Sequence, residues 1–186
     1  MRVATLLTFL AVTTIGRAEE KPDTNYDHFR PLSAGVKKAD KVVVHEGLPH
    51  PLSEKDKYDV EKKKSNVTRP RKDKVKEETD AHRFYDPPQA ASAADAKALT
   101  TLFANPDVIK AFSGNKRCGG FHPDYAIEWR AGSDVYYVEI CYGCSEVKAY
   151  GPKDTLHADV SKSGLEDFKK VLAGYQKNRP MGRTAK

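Results

Sequence analysis

The chain has 186 residues, which is enough for one domain with additional segments and too few for several large domains. Its 32 basic and 26 acidic residues leave a formal net charge of +6. The lysine-rich stretches also contain aspartate and glutamate, a mixture that is typical of a solvated surface and not of a nucleic-acid-binding stripe. We therefore expect no nucleic-acid partner.

Residues 1–18 predict a cleavable signal peptide. Arg2 supplies a positive start, residues 3–15 form an apolar run, and Gly-Arg-Ala at 16–18 supplies the small residues of a cleavage site. The apolar run is shorter than the roughly 20 residues that a membrane-spanning helix needs. We expect a mature chain without a membrane span that is secreted or periplasmic. An envelope or extracellular protein is the class of partner that this location allows.

Residues 19–81 are polar and predict a charged, extended arm with one short strand. The strand is the β-branched run at residues 42–44, which Gly47 and Pro49 end. The other apolar residues of the segment are isolated among charges and too few to form a core. We expect the arm to lie on the domain that follows it.

Residues 82–180 predict an α+β domain that starts with helices. Ser92 is a helix cap, and the apolar residues that follow it have helical spacing. Asn105 and Pro106 predict the start of a second helix, with three apolar residues on one face: Val108, Ile109 and Phe112.

The clearest pattern in the chain predicts a four-stranded antiparallel meander followed by a helix. Apolar and polar residues alternate with a period of two, which is typical of half-buried strands. The strands are expected at residues 125–130, 135–142, 146–150 and 155–160. A capping box at 163–166 predicts the final helix, and residues 181–186 form a basic tail. The N-terminal and C-terminal helices are expected on one face of the meander, the face of Trp129.

The turn between the first two strands predicts a register. If Arg130 pairs with Val135, the aromatic and aliphatic side chains share one side of the sheet, the apolar face. Glu128 and Glu139 then share the opposite side, the charged face, with Asp124. Paired carboxylates can perform acid–base chemistry, but a solvent-facing sheet also needs charged residues there. We expect these three acidic residues to form a polar surface.

The same register brings three cysteines and a histidine together at the open end of the hairpin: Cys118, His122, Cys141 and Cys144. A structural disulfide between two of the cysteines is one interpretation, since an exported chain meets oxidant. A tetrahedral zinc site with three thiolates and one imidazole is the second. The third is redox chemistry at the Cys141 and Cys144 pair, although the strand predicted after it provides no helix N-terminus to lower a thiol pKa.

A nucleophilic arrangement of Cys141, His122 and Asp124 also fits this register. No signature of a cysteine hydrolase flanks these residues, so we expect no catalytic set there.

Three motifs together resemble a family of small exported bacterial proteins of uncharacterised function: EGLPH at 46–50, CGGFHPDY at 118–125 and CYGC at 141–144. The resemblance covers most of the chain after the signal peptide. It implies export and brings no activity with it.

The sequence thus favours an exported, non-enzymatic binding or structural module that its cysteine cluster stabilises. A thiol–disulfide oxidoreductase that uses Cys141 and Cys144 is the first alternative. A zinc protein that uses Cys118, His122, Cys141 and Cys144 is the second, and zinc is the one cofactor that this sequence suggests.

Overall fold

The computed structural model describes residues 24–64, 66–68, 82–114 and 120–180. The predicted signal peptide, the predicted tail at 181–186 and Cys118 lie outside these residues.

The described chain contains four α-helices: α1 (Phe29–Val36), α2 (Lys55–Glu61), α3 (Ala93–Phe103) and α4 (Lys162–Leu172). Its strands are β1 (Lys41–Glu46), β2 (Val67–Thr68), β3 (Phe84–Tyr85), β4 (Gln89–Ala90), β5 (Ile109–Ala111), β6 (Tyr125–Ala131), β7 (Asp134–Cys141), β8 (Glu146–Tyr150) and β9 (Thr155–Val160). Seven strands form one sheet in the order β4-β1-β6-β7-β8-β9-β5, and every neighbouring pair is antiparallel. The strands β2 and β3 pair separately.

The predicted α+β class and the meander are confirmed, and the meander is β6 to β9. The predicted register is also confirmed, because Arg130 pairs with Val135 and Glu128 pairs with Tyr137. The prediction of four strands was wrong, since the sheet has seven. The final helix begins earlier than the predicted capping box, with the Ser161 hydroxyl accepting the N–H of Gly164 at 3.3 Å.

The helix predicted after Asn105 was wrong, because Ile109–Ala111 is the edge strand β5. The Asn105 side chain accepts the N–H of Asp107 at 2.8 Å and closes a single turn. Beyond that turn the backbone pairs with the free edge of β9, where Ile109 lies opposite Val160. This segment is a strand because it pairs with β9, which lies almost fifty residues later in the chain. The local spacing of apolar residues does not reveal that pairing.

The extended arm expected at 19–81 is not what the structure shows for residues 24–64. That segment forms α1, α2 and β1, and β1 lies inside the sheet between β4 and β6. Phe29, Leu32 and Val36 of α1 are buried in the main core. These residues are few, but they complete a core that other segments supply.

The apolar face of the sheet carries the main core, as predicted from the position of Trp129. Helices α1, α3 and α4 cover it with apolar side chains. Trp129 is fully buried there, and its indole N–H donates to the Thr100 hydroxyl at 2.8 Å. Phe168 of α4 is also fully buried in this core.

The charged face is buried as well, so the expectation of a polar surface there was wrong. Glu139 has 0% exposure and Glu128 has 9%. Phe84 from β3 packs on this face against Ala126, Tyr137 and Tyr150. The residues that cover this face, such as His82 and Phe84, directly follow the segment predicted as an arm. No helix in the described part of the chain is long and apolar enough to cross a membrane.

Candidate functional site

Two members of the predicted cysteine cluster, Cys141 and Cys144, lie where the chain turns from β7 into β8. Cys141 is the last residue of β7, and Glu146 is the first residue of β8. Ser145 adopts a positive φ of 55°, which turns the chain into β8. Its carbonyl accepts the N–H of Val160 at 2.8 Å, so the turn is tied to the end of β9.

Cys141 is a free and buried cysteine with 2% exposure. Burial raises the pKa of its thiol above the ordinary value, and the backbone N–H groups of His122 and Cys144 oppose that shift without cancelling it. The N–H of Cys144 lies 3.2 Å from the Cys141 sulfur. A protonated, sealed thiol is a poor nucleophile, because the thiolate is the reactive form.

Cys144 is also buried, with 2% exposure. Its sulfur lies 3.4 Å from the carbonyl oxygen of Gly120. Gly120 is two residues from Cys118, the one remaining cysteine of the chain. The structure therefore brings Cys141, Cys144 and the chain next to Cys118 to the same place.

His122 is buried beside the cluster, but its side chain serves another contact. Its Nε2 lies 2.9 Å from the carbonyl oxygen of Leu48, so this nitrogen carries the proton and donates. Burial lowers the pKa of His122, while that hydrogen bond and the charge of Asp124 act in the opposite direction. The ring also packs edge-on to His50, with centroids 5.2 Å apart. The EGLPH segment thus docks on the chain just before β6.

Asp124 is held by groups other than His122. Its Oδ2 accepts the N–H of Tyr142 at 2.7 Å, and its Oδ1 accepts from Arg179 at 2.7 Å. With His122 bonded to Leu48, the structure does not assemble the nucleophilic set that the register allowed on paper. Asp124 instead links the cysteine turn to the C-terminal end of the described chain.

Arg179 lies between two carboxylates, which sequence reasoning missed. Its second nitrogen donates to Glu54 at 2.8 Å. Burial acts to raise the pKa of Glu54, but hydrogen bonds from Arg179, His50 and Lys57 outweigh it and bring that pKa to about 2. Glu54, Asp124 and Arg179 border a pocket of about 340 Å³ that is also lined by Tyr125 and Tyr142.

Glu46 anchors the chain around Arg179 and was also missed. Its carboxylate has 2% exposure and accepts the backbone N–H groups of Lys177, Asn178 and Arg179, at 2.7 to 3.1 Å. The Asn178 side chain adds a further bond at 2.9 Å. We call residues 176–180 the C-terminal strap. The EGLPH motif was the one sequence signal that marked Glu46, and nothing in it indicates the strap.

Two acidic residues of the charged face, Glu128 and Glu139, are each paired with a histidine. His45 Nε2 lies 3.4 Å from Glu128, and His82 Nδ1 lies 3.1 Å from Glu139. A third pair joins His157 to Glu146 at 2.9 Å. The hydrogen bond from His45 lowers the pKa of Glu128, helped by Arg130 and opposed by burial. The carboxylates of all three pairs are buried, and the structure does not set Glu128 and Glu139 in an open cleft.

No group of three or more histidine, cysteine, aspartate and glutamate side chains within the described ranges is arranged to hold a metal ion. Cys118 lies outside those ranges, so the predicted set of three cysteines and His122 remains a prediction.

Comparisons with known proteins assign no family to the chain. No protein-family model matches it, and no curated protein matches its sequence. A crystal structure of a putative lipoprotein from Clostridium perfringens is similar with a TM-score of 0.42 and 15% identity, covering 83% of this chain and 98% of that one. A likeness at that TM-score carries no conclusion about function.

Proposed function

We propose that the protein is an exported, non-enzymatic binding or structural module in which a Cys118–Cys144 disulfide fastens the chain before β6 to the β7–β8 turn. The observation that carries this proposal is the state of Cys141: it is free and buried, and burial raises the pKa of its thiol. A chain that used this turn for chemistry would need an accessible thiolate there.

The pairing of Cys118 with Cys144 follows from composition and position. The chain has three cysteines and Cys141 is free, which leaves Cys118 and Cys144 as the two that can pair. The Cys144 sulfur also lies against Gly120, close in sequence to Cys118. Export, which the sequence of residues 1–18 predicts, supplies the oxidising surroundings in which such a bond persists.

A binding or structural role also fits the charged face. Its buried carboxylates are paired with histidines, and Asp124 is committed to Tyr142 and Arg179. Side chains bound in this way hold segments together and are not free to exchange protons with a substrate.

The test starts with the protein purified without reductant or chelator from the medium or envelope of its source cells. We expect the intact mass of a chain whose first residue is Glu19. That mass should be lower by two hydrogens than the mass of the same chain after reduction. One thiol, Cys141, should react with an alkylating reagent, and only after unfolding. Three reactive thiols with one bound zinc would replace the proposal with the zinc protein, and a mass that retains residues 1–18 would end the claim of export.

Serine variants separate a disulfide from the alternatives. Cys118→Ser, Cys144→Ser and the double variant should each lose the same stability, roughly 3 kcal/mol for a loop of this size. That loss corresponds to a fall in Tm of about 10 °C, and Cys141→Ser is the matched control with a smaller effect. An equal loss from Cys141→Ser would favour the zinc set. Turnover in an insulin-reduction assay that disappears in Cys141→Ser would establish the oxidoreductase.

A further inference from the structure

A second cleft lies at the far end of β1 from the cysteine turn. The C-terminal end of α1, the start of β1 and the junction of β4 with α3 enclose a volume of about 520 Å³. That size is within the range of small-molecule sites. It is separate from the cysteine cluster, because Lys41 at this end pairs with Arg130, whereas Glu46 at the other end pairs with Tyr125.

Three lysines border this cleft. Lys37, Lys41 and Lys97 line it, and none of them forms a salt bridge with the described residues. Several lysines elsewhere are paired: Lys55 and Lys169, for example, each pair with a carboxylate one turn away on the same helix. The three cleft lysines therefore keep their charges available to a ligand.

The charges of the lining do not cancel. Asp40 is the one acidic residue that lines the cleft, against the three lysines. Its backbone N–H donates to Arg130, which holds that segment at the mouth of the cleft. The lining thus has two positive charges in excess, which a doubly charged anion would neutralise.

Small apolar side chains also line the cleft. They include Ala90, Ala91, Ala93 and Ala96, and no aromatic residue of the described chain is among the lining residues. The Thr100 hydroxyl is already used, since it donates to the Ala96 carbonyl and accepts from Trp129. A lining that combines small apolar and cationic side chains suits a ligand with an apolar body and an anionic head.

We propose that this cleft binds a small organic dianion, a phosphate ester or a dicarboxylate, with its charged group among Lys37, Lys41 and Lys97 and its apolar part against the alanines. This site does not depend on the cysteines, so its failure and the failure of the proposed disulfide are separate results.

Calorimetric titration of the oxidised protein at low salt tests the site, with phenyl phosphate and phthalate as probes. We expect saturable binding by at least one probe, weaker binding of inorganic phosphate, none of phenol, and a loss of affinity as salt increases. The stronger of the two probes identifies the anionic group as a phosphate or a dicarboxylate. Absence of saturation by either probe up to about 10 mM would overturn the proposal.

Lysine variants locate the binding. Each of Lys37→Gln, Lys41→Gln and Lys97→Gln should weaken the probe about threefold to fivefold, and the triple variant roughly thirtyfold or more. The matched control is Lys153→Gln with Lys162→Gln, two exposed lysines away from the cleft, which should leave the affinity unchanged. An equal loss in the control would show attraction to net charge only and would refute the site.

Discussion

The two faces of the central sheet are both buried, but by different means. On the apolar face, three helices cover a continuous core around Trp129 and Phe168. On the charged face, a loop and the short strand β3 cover histidine–glutamate pairs and a small apolar cluster at Phe84. Alternation in a strand therefore reports the chemistry of each face, and it does not report which face meets water.

The faces should also differ in how they respond to substitution. The apolar face depends on packing volume, so its variants should lose stability at any pH. The charged face depends on matched partners, so its variants should depend on whether the partner remains and on pH.

The largest effect is expected from Trp129→Ala on the apolar face. This variant removes a fully buried indole and its hydrogen bond to Thr100. The free energy of unfolding should fall by about 4 kcal/mol, measured by urea denaturation. Val135→Ala is the matched control, since Val135 is an exposed position on the neighbouring strand. Similar losses in both variants would contradict the placement of the core.

Next in size is the loss of Glu139 from the charged face. Glu139→Gln removes the charge that faces His82 in a fully buried position. We expect a loss of about 3 kcal/mol, because one member of a buried pair is left without its partner. In a double-mutant cycle with His82→Gln, the double variant should lose less than the sum of the two single variants. Strict additivity would show that the two side chains are not coupled.

The smallest effect is a change in pH dependence at His122. Burial lowers the pKa of His122 in the folded protein, so between that value and about 6.5 the unfolded chain binds more protons than the folded one. The contribution of His122 to the free energy of unfolding is therefore fully present above pH 6.5 and is lost as the pH falls. The free energy of unfolding should change by at most about 1.4 kcal/mol per pH unit from this group. His122→Gln retains a donor for the Leu48 carbonyl and should flatten the profile between pH 6.5 and 5, measured from denaturation curves. An unchanged profile would contradict a buried neutral histidine.

The sequence predicted correctly those parts of the fold that depend on interactions between residues close together in the chain. Alternation located β6 to β9, and the turn at 131–134 determined the pairing of Arg130 with Val135. The missed parts depend on distant edges. Strand β5 exists because β9 leaves an edge free, and β1 is inside the sheet because β4 and β6 flank it.

The candidate site divides in the same way. The hairpin register correctly brought His122 close to Cys141, because that proximity follows from strand pairing. It could not show that His122 would donate a hydrogen bond to the Leu48 carbonyl or that Asp124 would accept one from Arg179. Those contacts join segments 55 or more residues apart, and no spacing rule connects them.

The hydrogen bonds between Glu46 and the C-terminal strap make the burial of Glu46 depend on residues that are translated much later. Glu46 belongs to a strand made early in synthesis, and its first donor, the N–H of Lys177, lies 131 residues later. A nascent chain that stops short of the strap must either bury an uncompensated carboxylate or keep β1 open. Prematurely ended chains should thus stay partly unfolded and be removed by proteases, so that a finished molecule differs from an unfinished one in survival.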